Sequence, residues 1–141
     1  MFSQDLREWV RGVEELGQLR RIPGIPWDLE IGGLMELILE KEKFPPALLF
    51  EKIPDKRDDM SILCTQLDSV ERLALTMGVR PEIGVRDFIQ LWRRRLKQLQ
   101  PVEPEFVKDA PILENIVEKD INLDAFPIPR WHELDGGRYI G

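Results

Sequence analysis

Residues 47–50 read Ala47–Leu48–Leu49–Phe50, an apolar run closed by Pro46 on one side and Glu51 on the other. Four residues are too few for an ordinary helix, and the run has no polar side, so it predicts a buried strand. Downstream, Pro54–Asp59 is charged and turn-like, and Met60–Leu67 reads as a second strand that makes a hairpin with the first. Upstream, Gln18–Ile22 reads as a further short strand, broken by Pro23, Gly24 and Pro26.

Helices alternate with these strands. Leu6, Trp9, Val10, Val13 and Leu16 recur at three- and four-residue spacing and form one apolar stripe. Ser3 is the expected cap, and Gly17 ends the helix in the left-handed conformation. A second helix is expected after Asp28, burying Ile31, Leu34, Met35 and Ile38. Gly32 and Gly33 weaken it by about 1 kcal/mol each, or let something pack closely. Asp68 with Glu71 has capping-box spacing, so a third helix should bury Val70, Leu73, Ala74 and Met77 and end at Gly78. A fourth, from Val85 to Leu99, carries Val85, Phe88, Ile89, Trp92, Leu96 and Leu99 on one face and stops before Pro101 and Pro104.

Beyond Pro101 the helical period is lost. Leu113–Glu118 reads as a strand and the rest as extended. A boundary falls near residues 101–111, giving an α+β domain over 1–104 and a tail over 105–141. That tail has few ways to bury Phe126, Ile128, Trp131, Tyr139 and Ile140, and its close on Tyr139–Ile140–Gly141 suggests that more should follow.

Bulk properties bound the function. The 141 residues suit one domain, and 43% hydrophobic with 33% charged residues is a globular balance. A net charge of −6 argues against nucleic acid as partner, since phosphate binding needs a positive surface. Arg93–Arg94–Arg95 with Lys97 reads as a solvated helix face. With Cys64 alone no internal disulfide can form, no apolar run is long enough to span a bilayer, and the N-terminus is unlike a signal peptide. A cytoplasmic protein is expected.

Residue types alone reveal no active site. His132, the one histidine, has Glu133 and Asp135 beside it. Neighbours on an extended chain point apart, so the three read as turn and capping groups rather than a converging acid–base set. One cysteine and one histidine do not make a zinc site. Cys64, inside an apolar strand, reads as a core filler. Gly136–Gly137 is a turn signal and fits neither phosphate-loop spacing. Glu14–Glu15 and Asp58–Asp59 are surface pairs. No catalytic, cofactor-binding or metal residue is therefore assigned.

Four blocks, in order, carry a resemblance. They are Asp5–Leu6–Arg7–Glu8–Trp9 with Gly17–Gln18–Leu19–Arg20–Arg21–Ile22; Pro46–Ala47–Leu48–Leu49–Phe50–Glu51; Ser69–Val70–Glu71–Arg72–Leu73–Ala74–Leu75 with Gly78; and Pro127–Ile128–Pro129–Arg130–Trp131–His132–Glu133–Leu134–Asp135–Gly136–Gly137–Arg138–Tyr139–Ile140. They resemble the first helix and strand, the "PALLFE" strand, the "SRERVALALG" helix and the "PIPxWHxxDGGxYI" segment of the UbiD family of reversible decarboxylases. The last block is the most specific.

The resemblance implies an N-terminal α/β domain, followed from residue 105 by a linker and the first strand of a split β-barrel that holds prenylated FMN. The family uses that cofactor with Mn2+ and K+ to decarboxylate aromatic or α,β-unsaturated acids. Its catalytic arginine, two glutamates, manganese ligands and most cofactor contacts lie beyond residue 141, so none is carried over and this chain alone is expected to be inactive. The expected partners are the rest of a UbiD-type polypeptide, homo-oligomeric in full. The alternative is a small non-catalytic subunit docking onto a separate catalytic chain.

Overall fold

In the computed structural model, which describes residues 5–139, Asp5 caps the first helix, α1 (Leu6–Glu15), its carboxylate accepting the Glu8 N–H at 2.7 Å. The cap expected at Ser3 lies outside the described residues. Trp9 and Val13 are the buried members of the stripe, and Gly17, at φ +67°, turns the chain out of the helix as expected. Strand β1 (Leu19–Pro23) follows, then α2 (Glu30–Lys41), β2 (Ala47–Glu51), β3 (Ile62–Cys64), α3 (Val70–Thr76) and α4 (Val85–Gln98).

The sheet runs β1-β2-β3. β2 and β3 pair antiparallel, Leu48 opposite Cys64 and Phe50 opposite Ile62, which is the expected hairpin. β1 pairs parallel with β2, from Leu19 opposite Ala47 to Pro23 opposite Glu51, with α2 as the crossover. The central position of β2 explains its unbroken apolar run. Leu48 and Phe50 pack with Ile31 and Ile38 of α2, Ile53 and Cys64, while Ala47 packs with Trp9 and Val13 of α1. The sheet thus lies between α2 on one side and α1 with α3 on the other. Trp9 Nε1 donates to Thr76 Oγ1 at 2.9 Å and ties α1 to α3.

Several expectations are corrected. β3 spans three residues rather than Met60–Leu67, because Met60 closes a turn onto Arg57 and Thr65, at φ +56°, turns the strand away. Asp68 does not cap α3. Ser69 does, accepting the Arg72 N–H at 3.1 Å. In α3 the buried residues are Ala74 and, against expectation, Arg72, while Val70, Leu73 and Met77 are only half-buried. Asp28 does not cap α2. The cap position is Leu29, at φ +65° and without a side-chain bond. Leu113–Glu118 is not a strand: Pro111–Leu113 is a single 3-10 turn, and no strand partner is present among the described residues. The stripe of α4 forms, but no residue of that helix is buried.

Arg72 is 1% exposed. Its Nε donates to Gln66 O at 3.1 Å, and its Nη1 to Gln18 Oε1 at 3.0 Å and Pro45 O at 3.1 Å. One guanidinium thereby joins the chain entering β1, the chain entering β2 and the chain leaving β3. Burial pulls its pKa down, and the charges of Asp68 and Glu71 oppose that.

Candidate functional site

The fourth block of the sequence returns to the start of α2. Its Arg130 lies beside Asp28 as a parallel bridge: Leu29 N donates to Arg130 O at 3.0 Å and Arg130 N to Trp27 O at 3.2 Å. Arg130 Nε adds a 2.7 Å ion pair to Asp28 Oδ1. This is where the side chain of Asp28 goes instead of capping the helix.

The next residue comes closest to α2. A β-carbon on Gly32 would stand 3.0 Å from both Trp131 C and Trp131 Cα, and nearer still to Trp131 O. Only glycine leaves that space, so the expectation of a close approach is met at Gly32. At Gly33 nothing lies within 4 Å. The indole of Trp131 packs, half-buried, against the core cluster of Ile31, Ile38 and Phe50.

One turn along α2 from Gly32, Glu36 Oε1 lies 2.7 Å from His132 Nε2. Asp135 Oδ2 accepts the His132 N–H at 3.0 Å and stands 3.7 Å from Nδ1. Asp135 therefore does cap a turn, as expected. The expectation that it points away from His132 is corrected: the turn folds it back onto the ring. Glu133 stays exposed and out of the group. The hydrogen bond to Glu36 raises the His132 pKa above its ordinary value, desolvation lowers it, and the charges of Glu36 and Asp135 raise it further. Sequence reading missed Glu36. Its one signal is its place four residues after Gly32, on the same face of α2.

The segment ends at a second anchor. Arg138 Cζ lies 4.6 Å from the centre of the Trp27 ring and Lys56 Nζ lies 5.2 Å from it. Arg138 also pairs with Asp124, whose carbonyl accepts from Lys56 at 2.6 Å. Between the two anchors, Phe126–Pro129, Trp131 and Tyr139 line an apolar groove of about 590 Å3 against Ser61–Leu63. Cys64 lies in the core, and burial pushes its thiol up to about 11, so it is no thiolate at neutral pH.

Among the described residues, no group of three or more His, Cys, Asp or Glu side chains is placed to hold a metal ion. The cleft of about 340 Å3 beside Lys43 and Arg72 is lined by Asp68 and Glu71 as well. The arrangement is a clasp of backbone bonds, ion pairs and one glycine contact. It fixes how residues 127–138 leave the domain.

The comparisons with known proteins identify that pairing of domain and segment. The profile of the 3-octaprenyl-4-hydroxybenzoate carboxy-lyase N-terminal domain matches residues 10–92, and the Rift-related domain of the same family matches 105–141. The chain belongs to the UbiD family. It is 30% identical, over 97% of its length, to the pyrrole-2-carboxylic acid decarboxylase of Pseudomonas aeruginosa. It is 34% identical, over 97% of its length, to the phenolic acid decarboxylase of Sedimentibacter hydroxybenzoicus. It spans 29% of the length of each. The solved closed form of the S. hydroxybenzoicus vanillic acid decarboxylase, ShVdcCD, superposes on 99% of this chain with a TM-score of 0.85 at 33% identity, using 30% of its own chain. The open form of that decarboxylase gives 0.82 at 32% identity, covering 99% and 30%. The UbiD likeness therefore covers the clasp as well as the α+β domain. No helix among the described residues is long and apolar enough to cross a membrane.

Proposed function

We propose that the chain is the N-terminal part of a UbiD-like carboxy-lyase that reversibly decarboxylates aromatic or α,β-unsaturated carboxylic acids with prenylated FMN, Mn2+ and K+. The observation that carries this reading is likeness to decarboxylases over nearly the whole chain, tail included, while the chain spans 29% of those relatives. Residues 1–104 serve as the N-terminal domain, and 105–141 as linker and first strand of a split-barrel flavin domain. The loss of helical period after Pro101 and the separate family match from 105 support that division.

The chain's own residues then have a positioning role. The clasp on Gly32, Asp28 and Glu36 sets where the flavin domain begins. Chemistry belongs to residues beyond 141, so the 141 residues alone are inactive, in the cytoplasm and in vitro. A second reading, a non-catalytic subunit docking on a separate UbiD-type chain, draws on the exposed apolar side chains of Val102, Phe106, Ile112 and Ile116.

The test is CO2 release from a panel of aromatic and unsaturated acids, with prenylated FMN and Mn2+ supplied. A polypeptide running on into a flavin domain should turn over, and the 141 residues should not. Turnover by the 141 residues would overturn the positioning role, and no turnover by the longer polypeptide would overturn the decarboxylase reading. Activity restored by adding a separate catalytic chain to the 141 residues would favour the second reading.

A further inference from the structure

The backbone at Leu29 is at odds with its sequence. Leu29 stands at φ +65° and ψ −34°, in left-handed space that favours glycine. Glu30 N donates to Asp28 O, two residues back, at 2.8 Å, which closes a tight turn centred on Leu29. A three-residue turn with positive φ is rare and strained. The residues themselves suit another conformation. Leucine is a strong helix former, aspartate is a preferred cap, and Glu30 is an acid suited to a first turn. Together they describe a helix that starts at Leu29 with Asp28 as its cap.

Contacts with the strap formed by residues 127–132 impose the observed shape. Leu29 N donates to Arg130 O at 3.0 Å, Arg130 N donates to Trp27 O at 3.2 Å, and Arg130 Nε donates to Asp28 Oδ1 at 2.7 Å. An ion pair thus holds the carboxylate that would cap α2, and a backbone bond holds the N–H of the residue that would begin it. Helix α2 starts one residue later, at Glu30, and has no side-chain cap. The backbone of Trp131, seated on Gly32, keeps the strap close.

We propose that residues 28–30 form a two-position joint: with the strap seated, Asp28 pairs with Arg130 and Leu29 is held in the strained turn, and with the strap lifted, Leu29 joins α2 as its first residue and Asp28 caps it. The two positions exclude each other. One carboxylate serves either the guanidinium or the helix N–H groups, and Leu29 cannot hold both backbone conformations. In the seated position, strain and a forgone cap stand against the bridge, the ion pair and the packing of Trp131, so the strap is held by a balance of opposing terms. The joint gives the strap a second resting position relative to the sheet. It lies wholly within the described residues and is independent of the decarboxylase reading.

The experiment compares Leu29→Gly with Leu29→Ala in the full chain of 141 residues. Glycine takes the left-handed backbone freely and is poor in a helix, while alanine does the reverse, so the pair reads the backbone with little difference in side chain. Hydrogen exchange of the Arg130 amide, the same group in both variants, reports the seated strap. That amide should be protected about fivefold or more better in Leu29→Gly than in Leu29→Ala. Arg130→Pro then removes both the N–H that Trp27 accepts and the guanidinium that Asp28 holds. Arg130 belongs to no helix and to neither core cluster, so this variant keeps the domain folded. In its background the order should invert, with the higher thermal midpoint in Leu29→Ala, and Asp28→Ala should lower the midpoint by about 2–4 °C through loss of the cap. Equal or poorer Arg130 protection in Leu29→Gly would overturn the joint. So would a higher midpoint for Leu29→Gly than for Leu29→Ala once Arg130→Pro is in place, or no effect of Asp28→Ala there, since either would mean that α2 does not take up Leu29 when the strap lifts.

Discussion

The backbone of Trp131 occupies the space that a side chain on residue 32 would need, with Trp131 C and Cα each 3.0 Å from where the first carbon would sit. Two segments about a hundred residues apart therefore meet through a missing methyl group. Around that contact, Asp28 and Arg130 pair on one side and Glu36 and His132 on the other.

Gly32→Ala should cost about 1–3 kcal/mol, the usual range for forcing an extra carbon into a packed site. The carbon meets backbone, which cannot swing aside. Gly33→Ala, with open space around it, should be neutral or stabilising by up to about 1 kcal/mol, because alanine favours the helix. Chemical denaturation of both variants checks the contrast. Equal effects at the two positions would refute the contact.

The His132 ring should titrate above its ordinary value, and Glu36→Gln should bring it down, since the hydrogen bond to Glu36 is the leading cause of the shift. A raised folded pKa means that the stabilisation is fully present below the unfolded value and is lost as pH climbs through the folded one. The clasp should accordingly loosen as pH rises through the raised folded value of His132. With a single histidine in the chain, the imidazole NMR signal reports this without ambiguity. A midpoint at or below the ordinary value would be the contrary result.

Cys64 should resist thiol reagents at pH 8 in the native state and react at the rate of unfolding, because burial holds its thiol near 11. Rapid native-state labelling would show that β3 opens readily at the sheet edge.

Arg72→Met should destabilise the domain by about 2–3 kcal/mol, since it leaves the carbonyls of Gln66 and Pro45 without their donor and takes from the Gln18 amide one of its two. Leu73→Ala, at a half-buried position beside it, should cost less. Thermal unfolding ranks the two, and the opposite order would mean that the guanidinium holds nothing together.

Much of the architecture was legible in short stretches. Trp9 and Val13, Ile31 and Ile38, and the run Ala47–Phe50 declared their elements because burial repeats with the period of the helix or fills a strand between two layers. Caps were less legible. Asp68 and Ser69 are adjacent and chemically alike as caps, and a one-residue difference in backbone geometry chose the serine. Leu113–Glu118 has strand-like residues, but a strand needs a neighbour to receive its hydrogen bonds, and none is beside it among the described residues. In the candidate site, the motif Pro127–Ile140 stood out as a block, while its receptor on α2 did not. Gly32 was legible as a weak point in a helix or a place of close approach, without its partner, and Glu36 looked like any exposed acid.

The sequence by itself determined the four α-helices and three strands of the N-terminal region, their order, the α+β class and the UbiD kinship, because these rest on local periodicity and on contiguous motifs. The tertiary structure alone decided what touches what. It paired β1 parallel to β2 and buried the charge of Arg72 among three loops. It also set His132 against a carboxylate 96 residues away. Each of these depends on partners brought together through space, and spacing along the chain holds no record of a partner that distant.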